Sequence, residues 1–224
     1  MSNATMVTAR GWWDLADRAT FYPDDLPEDW QLAYFANCFQ AVLLPCAFWS
    51  ASDPSQVAQW RDEVPTRFRF LAEQASAHPA ARSRAAGAPL QAADLEQRLG
   101  ARLAAWLQPL APPQAPSARA APPVEAWFRY LDPRPHSRPD SRLDSGSSAA
   151  GSHSGSGPFN IASERYAVQA PRALHHDLRG AKHWLSELSA HHGRAPSLVI
   201  LARPTSNHLS AWQELLDLLG LSTN

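Results

Sequence analysis

Short, strongly apolar runs recur along the chain and alternate with longer segments of mixed polarity. Runs of roughly four to eight apolar residues bounded by proline, glycine or charged residues are typical of buried strands. The run SLVILA over residues 197–202 is the most uniformly apolar, which favours a strand in a parallel sheet that is covered on both faces. The predicted strands are residues 5–9, 40–44, 68–71, 124–131 and 197–202.

Capping residues predict helices between these strands. In the first, the acidic residues of segment 24–29 favour the positive end of a helix dipole, and Pro27 suits a first helical turn. Three further helices have terminal signals that are read in the same way. These signals are Asp53 before Pro54, Asp177 with Gly193 at the far end, and Ser206 with Gly220 at the far end.

A further amphipathic helix is predicted over residues 90–110. Its apolar residues recur at intervals of three and four, which places them on one helical face. Proline at positions 109, 112 and 113 ends the pattern. The residues that carry the periodicity are Leu95, Leu99, Leu103, Trp106 and Leu110.

The alternation of strands and helices at both ends predicts an α/β fold with a parallel sheet and flanking helices. Segment 133–158 is rich in serine, glycine and proline and has almost no apolar residue, so we interpret it as a disordered insertion. The remainder is interpreted as a single domain. Its parts are N-terminal βα units (1–110), a Pro/Ala-rich connection (111–123), a strand (124–132) and C-terminal βα units (159–224).

Composition and charge narrow the classes of partner. The formal net charge is −1, which predicts neither nucleic-acid binding nor attraction to an acidic membrane surface. No apolar run is long enough to span a bilayer, and the opening residues MSNATMVTARGWW lack the pattern of a secretory leader. The chain has only two cysteines, so we expect a cytoplasmic protein without a disulfide framework.

Aromatic motifs follow one another in a distinctive order between Gly11 and Phe70. The motifs are Gly11-Trp12, Phe21-Tyr22-Pro23 with Leu26, Tyr34-Phe35-Ala36, Phe48-Trp49, Trp60, Val64-Pro65 and Phe68-Arg69-Phe70. This series resembles the opening of the YecE-like TIM-barrel family, known as domain of unknown function 72. The tail from Trp184 to Gly220 is similar to the end of that family, though less specifically.

Several positions depart from the family's pattern. The stretch between Leu110 and Val124 is too short for the middle units of an eightfold barrel. The resemblance therefore implies a shortened, divergent member with an incomplete or degenerate TIM barrel. Polar family positions in the second strand fall on Leu43, Pro45 and Ala47, the lysine after the third strand falls on Glu73, and the late histidine falls on Leu131.

Residues near predicted strand ends supply ligand-binding candidates. The aromatic ones would line a pocket at the mouth of the sheet, although large aromatic residues also serve as core packing. Asp14 would contribute acid–base chemistry, and Arg129 would either hold an anion, as its family position implies, or form a buried salt bridge. The candidates are Trp12, Trp13, Asp14, Tyr22, Trp49 and Arg129.

Other polar residues are weaker candidates. Asp24 and Asp25 would join Asp14 in acid–base work, but they equally suit the start of a helix. The histidines at 175–176, 183 and 191–192 lack the spacing of a metal-binding motif. We therefore expect no metal, no cofactor and no assigned catalytic residue.

Two functions from different classes follow from these observations. The first is a non-catalytic binding or partner-dependent protein, because most of the family's polar positions are occupied by apolar residues. The alternative is a small-molecule enzyme, such as a hydrolase, that uses Trp12, Asp14, Tyr22 and Arg129 at the strand C-terminal ends. A decayed gene product is a third reading. An incomplete barrel would expose two strand edges, which predicts a homodimer or a protein partner.

Overall fold

Seven strands form one closed barrel in the order β1 to β7. The structure is a computed structural model that describes residues 4–74, 90–110, 122–133 and 165–222. The strands are β1 (Met6–Arg10), β2 (Ala41–Leu44), β3 (Arg69–Glu73), β4 (Leu103–Leu110), β5 (Ala126–Leu131), β6 (Tyr166–Gln169) and β7 (Leu198–Leu201).

The predicted parallel sheet with flanking helices, and the incomplete TIM barrel, are both wrong. β5 runs antiparallel to both of its neighbours, β4 and β6. In its pairing with β4, Trp106 lies opposite Leu131 and Leu110 lies opposite Trp127. The other strand pairs are parallel, so the barrel is mixed. Whether two strands run parallel or antiparallel depends on how their backbone groups pair. The pattern of apolar residues along a strand does not determine that direction.

Barrel closure also removes the structural reason for expecting a dimer. β1 pairs with β7 along four residues, from Met6 opposite Leu198 to Ala9 opposite Leu201. The described strands therefore leave no open edge of the kind that an incomplete barrel would have. A homodimer or a protein partner stays a prediction without that support.

Helices lie outside the barrel and pack against the outward faces of the strands. α4 begins as predicted, because Asp53 caps it by accepting a hydrogen bond from the Ser55 amide. α6 is likewise capped by Asp177 and is followed by Gly193 in the left-handed conformation. The helices are α1 (Arg18–Phe21), α2 (Gln31–Cys38), α3 (Cys46–Trp49), α4 (Pro54–Glu63), α5 (Ala92–Leu99), α6 (Leu178–His192) and α7 (Ser206–Leu218).

Two helix starts differ from the predicted ones. α7 is capped by the Thr205 side chain and not by Ser206, whose amide and hydroxyl both donate to Asp17. The acidic segment 24–29 precedes α2 instead of opening it, because a short 3-10 turn at Glu28–Trp30 comes first.

The predicted helix over residues 90–110 is wrong in its second half. α5 ends at Leu99, Gly100 takes a positive φ of 53°, and the chain then enters β4. Residues 103–107 (LAAWL) are apolar at every position, so the segment also suits a strand that is buried on both faces, with Ala105 and Leu107 inside the barrel and Trp106 outside. The indole nitrogen of Trp106 donates to Glu96 at 2.6 Å, which ties β4 back to α5.

The five predicted strands are confirmed, with slightly shifted bounds, as β1, β2, β3, β5 and β7. β6 was not predicted. Two predicted segments lie mostly outside the described residues, namely the disordered insertion at 133–158 and the connection at 111–123. Within the described ranges, no helix has the length and apolarity needed to cross a membrane.

The apolar core has two layers that are separated by the barrel wall. The outer layer lies between the strands and the helices and contains most of the large aromatic residues. The inner layer fills the barrel with side chains from alternate strand positions. The inner residues are Ala41, Leu43, Leu71, Ala105, Leu107, Phe128, Tyr130, Ala167, Leu198 and Ile200.

Candidate functional site

An ion pair lies at the mouth of the barrel where the parallel strands end. Inward positions alternate along a strand, so Arg10 follows Thr8 on the inner face of β1, and Glu73 follows Leu71 on the inner face of β3. The Arg10 guanidinium donates to Oε2 of Glu73 at 2.7 Å, which bridges β1 and β3 over the intervening β2. Barrel enzymes with parallel strands place their chemistry at this end.

Glu73 is held firmly and is only half satisfied. Its side chain is 7% exposed, whereas that of Arg10 is 41% exposed. The indole nitrogen of Trp49 donates to the Glu73 backbone oxygen at 2.9 Å. Oε1 of Glu73 is buried and has no hydrogen-bond partner among the described residues. A buried carboxylate oxygen without a donor is unfavourable, and such an atom points to a missing ligand or water.

A second acid–base pair borders the same mouth. Arg203 follows β7, and its Nε lies 3.6 Å from Oδ1 of Asp14. Burial raises the pKa of Asp14 above its ordinary value, and the positive charges of Arg203, Arg10 and Arg172 oppose that rise. Arg203 has a φ of +49°, a conformation that non-glycine residues adopt rarely and that is often found at functional sites.

A cluster of His175, His176 and His208 lies in the segments that follow β6 and β7. His175 is buried, and its Nε2 has no hydrogen-bond partner in the described part of the chain. Burial lowers the pKa of His175, and the neighbouring His208 lowers it further, so the ring is held neutral at neutral pH. Nδ1 of His208 accepts from the Thr205 amide, and its own amide donates to the Thr205 hydroxyl. The His175 and His208 ring centroids are 5.9 Å apart.

The described side chains at this site do not form a group of metal ligands. Throughout the four described ranges, no three or more His, Cys, Asp or Glu side chains are grouped so that they could hold an ion. The absence of a metal and of a cofactor stays a prediction.

Three of the predicted aromatic candidates lie beside the barrel and not over its centre. Trp12 and Tyr22 are buried, and the Tyr22 hydroxyl donates to the Trp12 backbone oxygen at 2.7 Å. Burial raises the pKa of Tyr22 above its ordinary value, so this hydroxyl stays protonated. The Trp13 ring packs 3.8 Å from Phe48 between centroids, next to Trp12. These contacts are those of a packed aromatic cluster.

That cluster forms one wall of a lateral cleft with a volume of about 190 Å³. Trp12, Trp13 and Trp60 supply its apolar wall, and the rest of the lining is mainly charged or amide side chains of α2, α4 and the turn before α2. Arg18 is already engaged there, because it donates to both Glu28 and Gln31.

The last two predicted candidates have unequal positions. Trp49 contacts the mouth through its hydrogen bond to the Glu73 backbone. Arg129 lies opposite Tyr166 in the strand register and shares the outer face of β5 with Trp127, whereas Phe128 and Tyr130 face the barrel interior. Its side chain therefore projects outward from β5, away from the barrel interior that Arg10 and Glu73 border.

Four residues of the mouth were not among the predicted site residues, namely Arg10, Glu73, Arg203 and His175. For the first two a signal was available, since each ends a buried strand in phase with an inward-facing residue. Glu73 had also been noted as a departure from the family's lysine. Arg203 lies near the position of the asparagines that follow the family's last strand, whereas no local pattern distinguishes His175 from a surface residue.

Comparison with known proteins agrees with the aromatic motifs. No curated protein and no solved structure matches the chain. Residues 6–137 match a family described as "Protein of unknown function DUF72". The matched segment begins with β1, extends past β5 and includes Arg10, Asp14 and Glu73, while Arg203 and His175 lie beyond it. Because the match covers more than half of the sequence, the chain belongs to the DUF72 family.

Proposed function

We propose that this protein is a non-catalytic binding protein that holds a small polar molecule at the barrel mouth. The proposal rests on one observation, the buried Oε1 of Glu73 that lacks a hydrogen-bond donor. A ligand N–H or O–H group would satisfy that atom with a charge-assisted hydrogen bond. The positive charges of Arg10 and Arg203 would favour a ligand that also carries an anionic group, such as a hydroxy acid or an amino acid.

The arrangement of charges supports binding without catalysis. Arg10 is paired with Glu73, and Asp14 is near Arg203, so each of these two carboxylates has a cation beside it. At Glu73 the cation occupies Oε2, so Oε1 is the oxygen left to contact a bound molecule. Glu73 also occupies a position where the family pattern has a lysine.

An enzyme that uses acid–base chemistry is the second candidate, because burial raises the pKa of Asp14. Asp14 would act with Arg203 as its neighbouring cation. Two other residues of the predicted enzyme site are placed differently from the prediction's shared rim. Tyr22 uses its hydroxyl on the Trp12 carbonyl, and Arg129 lies on the outer face of β5.

Ligand binding tests the proposal directly. A panel of hydroxy acids and amino acids would be screened by the rise in thermal stability that each causes, since a ligand of the folded state stabilises it. Glu73→Gln should weaken binding of any positive compound by about tenfold, because a neutral amide replaces the charged acceptor. Glu214→Gln on the exposed side of α7 is the matched control. Equal affinities for the two variants would contradict a site at the mouth.

Chemical analysis of the bound compound separates the two candidates. If the protein only binds, the compound is recovered unchanged after prolonged incubation. Turnover that Asp14→Asn abolishes would favour the enzyme and would contradict the non-catalytic proposal.

A further inference from the structure

A basic cleft lies at the opposite end of the barrel from the mouth. It borders Arg69, the first residue of β3, whereas Glu73 at the mouth is the last residue of the same strand. The cleft has a volume of about 370 Å³, which falls within the range of small-molecule sites. Its other walls are the end of α4 and the short turn Gly100–Arg102 that leads into β4.

The described residues that line this cleft include three guanidinium groups and one carboxylate. The cations are Arg61, Arg69 and Arg102, and the acid is Asp62. They come from three separate segments of the chain, so no run of basic residues announces them in the sequence. The side-chain charges of the lining sum to about +2 in a protein whose formal net charge is −1, and such a concentration attracts anions.

Two of the arginines are held in place by hydrogen bonds to the protein and still have N–H donors that no described residue uses. Nη1 of Arg69 donates to the backbone oxygens of Thr66 at 2.7 Å and Phe68 at 3.0 Å. Nη1 of Arg61 donates to the Arg98 backbone oxygen at 3.2 Å, and its other nitrogens face Asp62. Contacts of this kind reduce the side-chain entropy that binding would otherwise remove.

The third arginine, Arg102, has a guanidinium group whose N–H donors are unused in the described part of the chain. Within the described residues, the Arg102 guanidinium makes no hydrogen bond and no ion pair, although its charge acts on Asp62. The pKa of Asp62 is lowered, chiefly by the hydrogen bond from Arg61 and also by the charges of Arg61 and Arg102. Asp62 thus stays ionised and competes with any anion for the Arg61 fork.

We propose that this cleft binds the phosphate group of a small phosphorylated molecule. Guanidinium groups suit phosphate because their planar donors bind its oxygens bidentately, and converging arginines match its multiple charge. A monocarboxylate would engage only part of this excess of positive charge. The site is independent of the barrel mouth, because it lies at the other end of the strands and shares no residue with it.

Calorimetric titration with pyrophosphate tests the proposal. Arg102→Gln should weaken pyrophosphate binding by about tenfold, the effect typical of one lost charged contact. Asp62→Asn should strengthen binding, because it removes the competing carboxylate and releases Arg61. Arg67→Gln is the matched control, since Arg67 is exposed and near the cleft but outside its lining. Thermal melting of each variant confirms that it folds.

Distinct outcomes would overturn the proposal. If Arg67→Gln weakened binding as much as Arg102→Gln, the effect would be one of overall charge and not of a site. If Asp62→Asn failed to strengthen binding, Asp62 would not compete for the cleft as argued. An oligonucleotide that binds where pyrophosphate does not would assign the surface to nucleic acid. Glu73→Gln should leave pyrophosphate affinity unchanged, which keeps failure here distinct from failure at the mouth.

Discussion

The Arg10 guanidinium and the Glu73 carboxylate meet at 2.7 Å across the mouth of the barrel and join β1 to β3 over β2. The two residues are 63 positions apart in the sequence. Arg10 reaches solvent, but Glu73 is nearly buried, so the carboxylate depends on this cation far more than the cation depends on the carboxylate. Because of that difference in burial, we expect replacement of Arg10 to affect the stability of the barrel as well as the site.

Arg10→Met should destabilise the protein by about 1–3 kcal/mol, because it leaves a buried carboxylate without its donor. Glu73→Gln should cost less, since the partly exposed Arg10 can be hydrated. Urea unfolding of both variants and of the double variant gives the coupling free energy of the pair. Additive effects would mean that the contact contributes nothing to stability.

Gly11 is required for steric reasons at the start of the β1–α1 loop. Its φ is +92°, and a Cβ there would lie 2.6 Å from Cε2 of Trp13. Gly11→Ala should therefore combine backbone strain of about 1–2 kcal/mol with an overlap that costs about 1–3 kcal/mol more. Gly193→Ala is the matched comparison, because Gly193 also has a positive φ, of 73°, but open space where a Cβ would be. Melting temperatures should fall further for Gly11→Ala.

The stability of the protein should fall as the pH drops below about 6.5, partly because of His175. Burial holds the pKa of this ring below its unfolded value of 6.5, and His208, Arg172 and His176 lower it further, while Glu125 opposes them. Between the folded and unfolded pKa values the unfolded chain binds the extra proton, so the free energy of unfolding rises with pH across that window. Above the unfolded pKa the contribution is fully present.

Replacing His175 measures that contribution. His175→Gln should flatten the dependence of unfolding free energy on pH in the range just below pH 6.5. The same replacement at His183, which is exposed on α6, is the control. An unaltered pH profile in His175→Gln would show that the buried ring does not titrate in this window.

The barrel interior should tolerate truncation poorly. Ile200 is fully buried in the inner layer on β7, between β6 and β1. Ile200→Ala should lower the free energy of unfolding by about 2–5 kcal/mol, because it removes buried methylene groups and leaves a cavity. Leu218→Ala, at a residue that is 86% exposed, should change it by no more than about 0.5 kcal/mol. Chemical denaturation of both variants checks the contrast.

Much of the fold could be predicted from the sequence, because strand burial and helix capping depend on residues that are close together in the chain. The apolar run of β7 and the caps at Asp53 and Asp177 act within a few residues of themselves, so their structural meaning survives in any tertiary setting. The aromatic motifs after Gly11 likewise identified the family, because they are read in order along the chain.

Tertiary pairing decided the rest. Residues 103–107 are apolar at every position and so suit either a helix or a buried strand, and only their pairing with β3 and β5 makes them a strand. The reversal of β5 and the closure of β1 on β7 depend on backbone partners that are distant in sequence. The mouth follows from that closure, because Arg10 and Glu73 become neighbours only when three strands lie side by side. A sequence records which residues are apolar or charged, but the distance between two charges exists only once the barrel has formed.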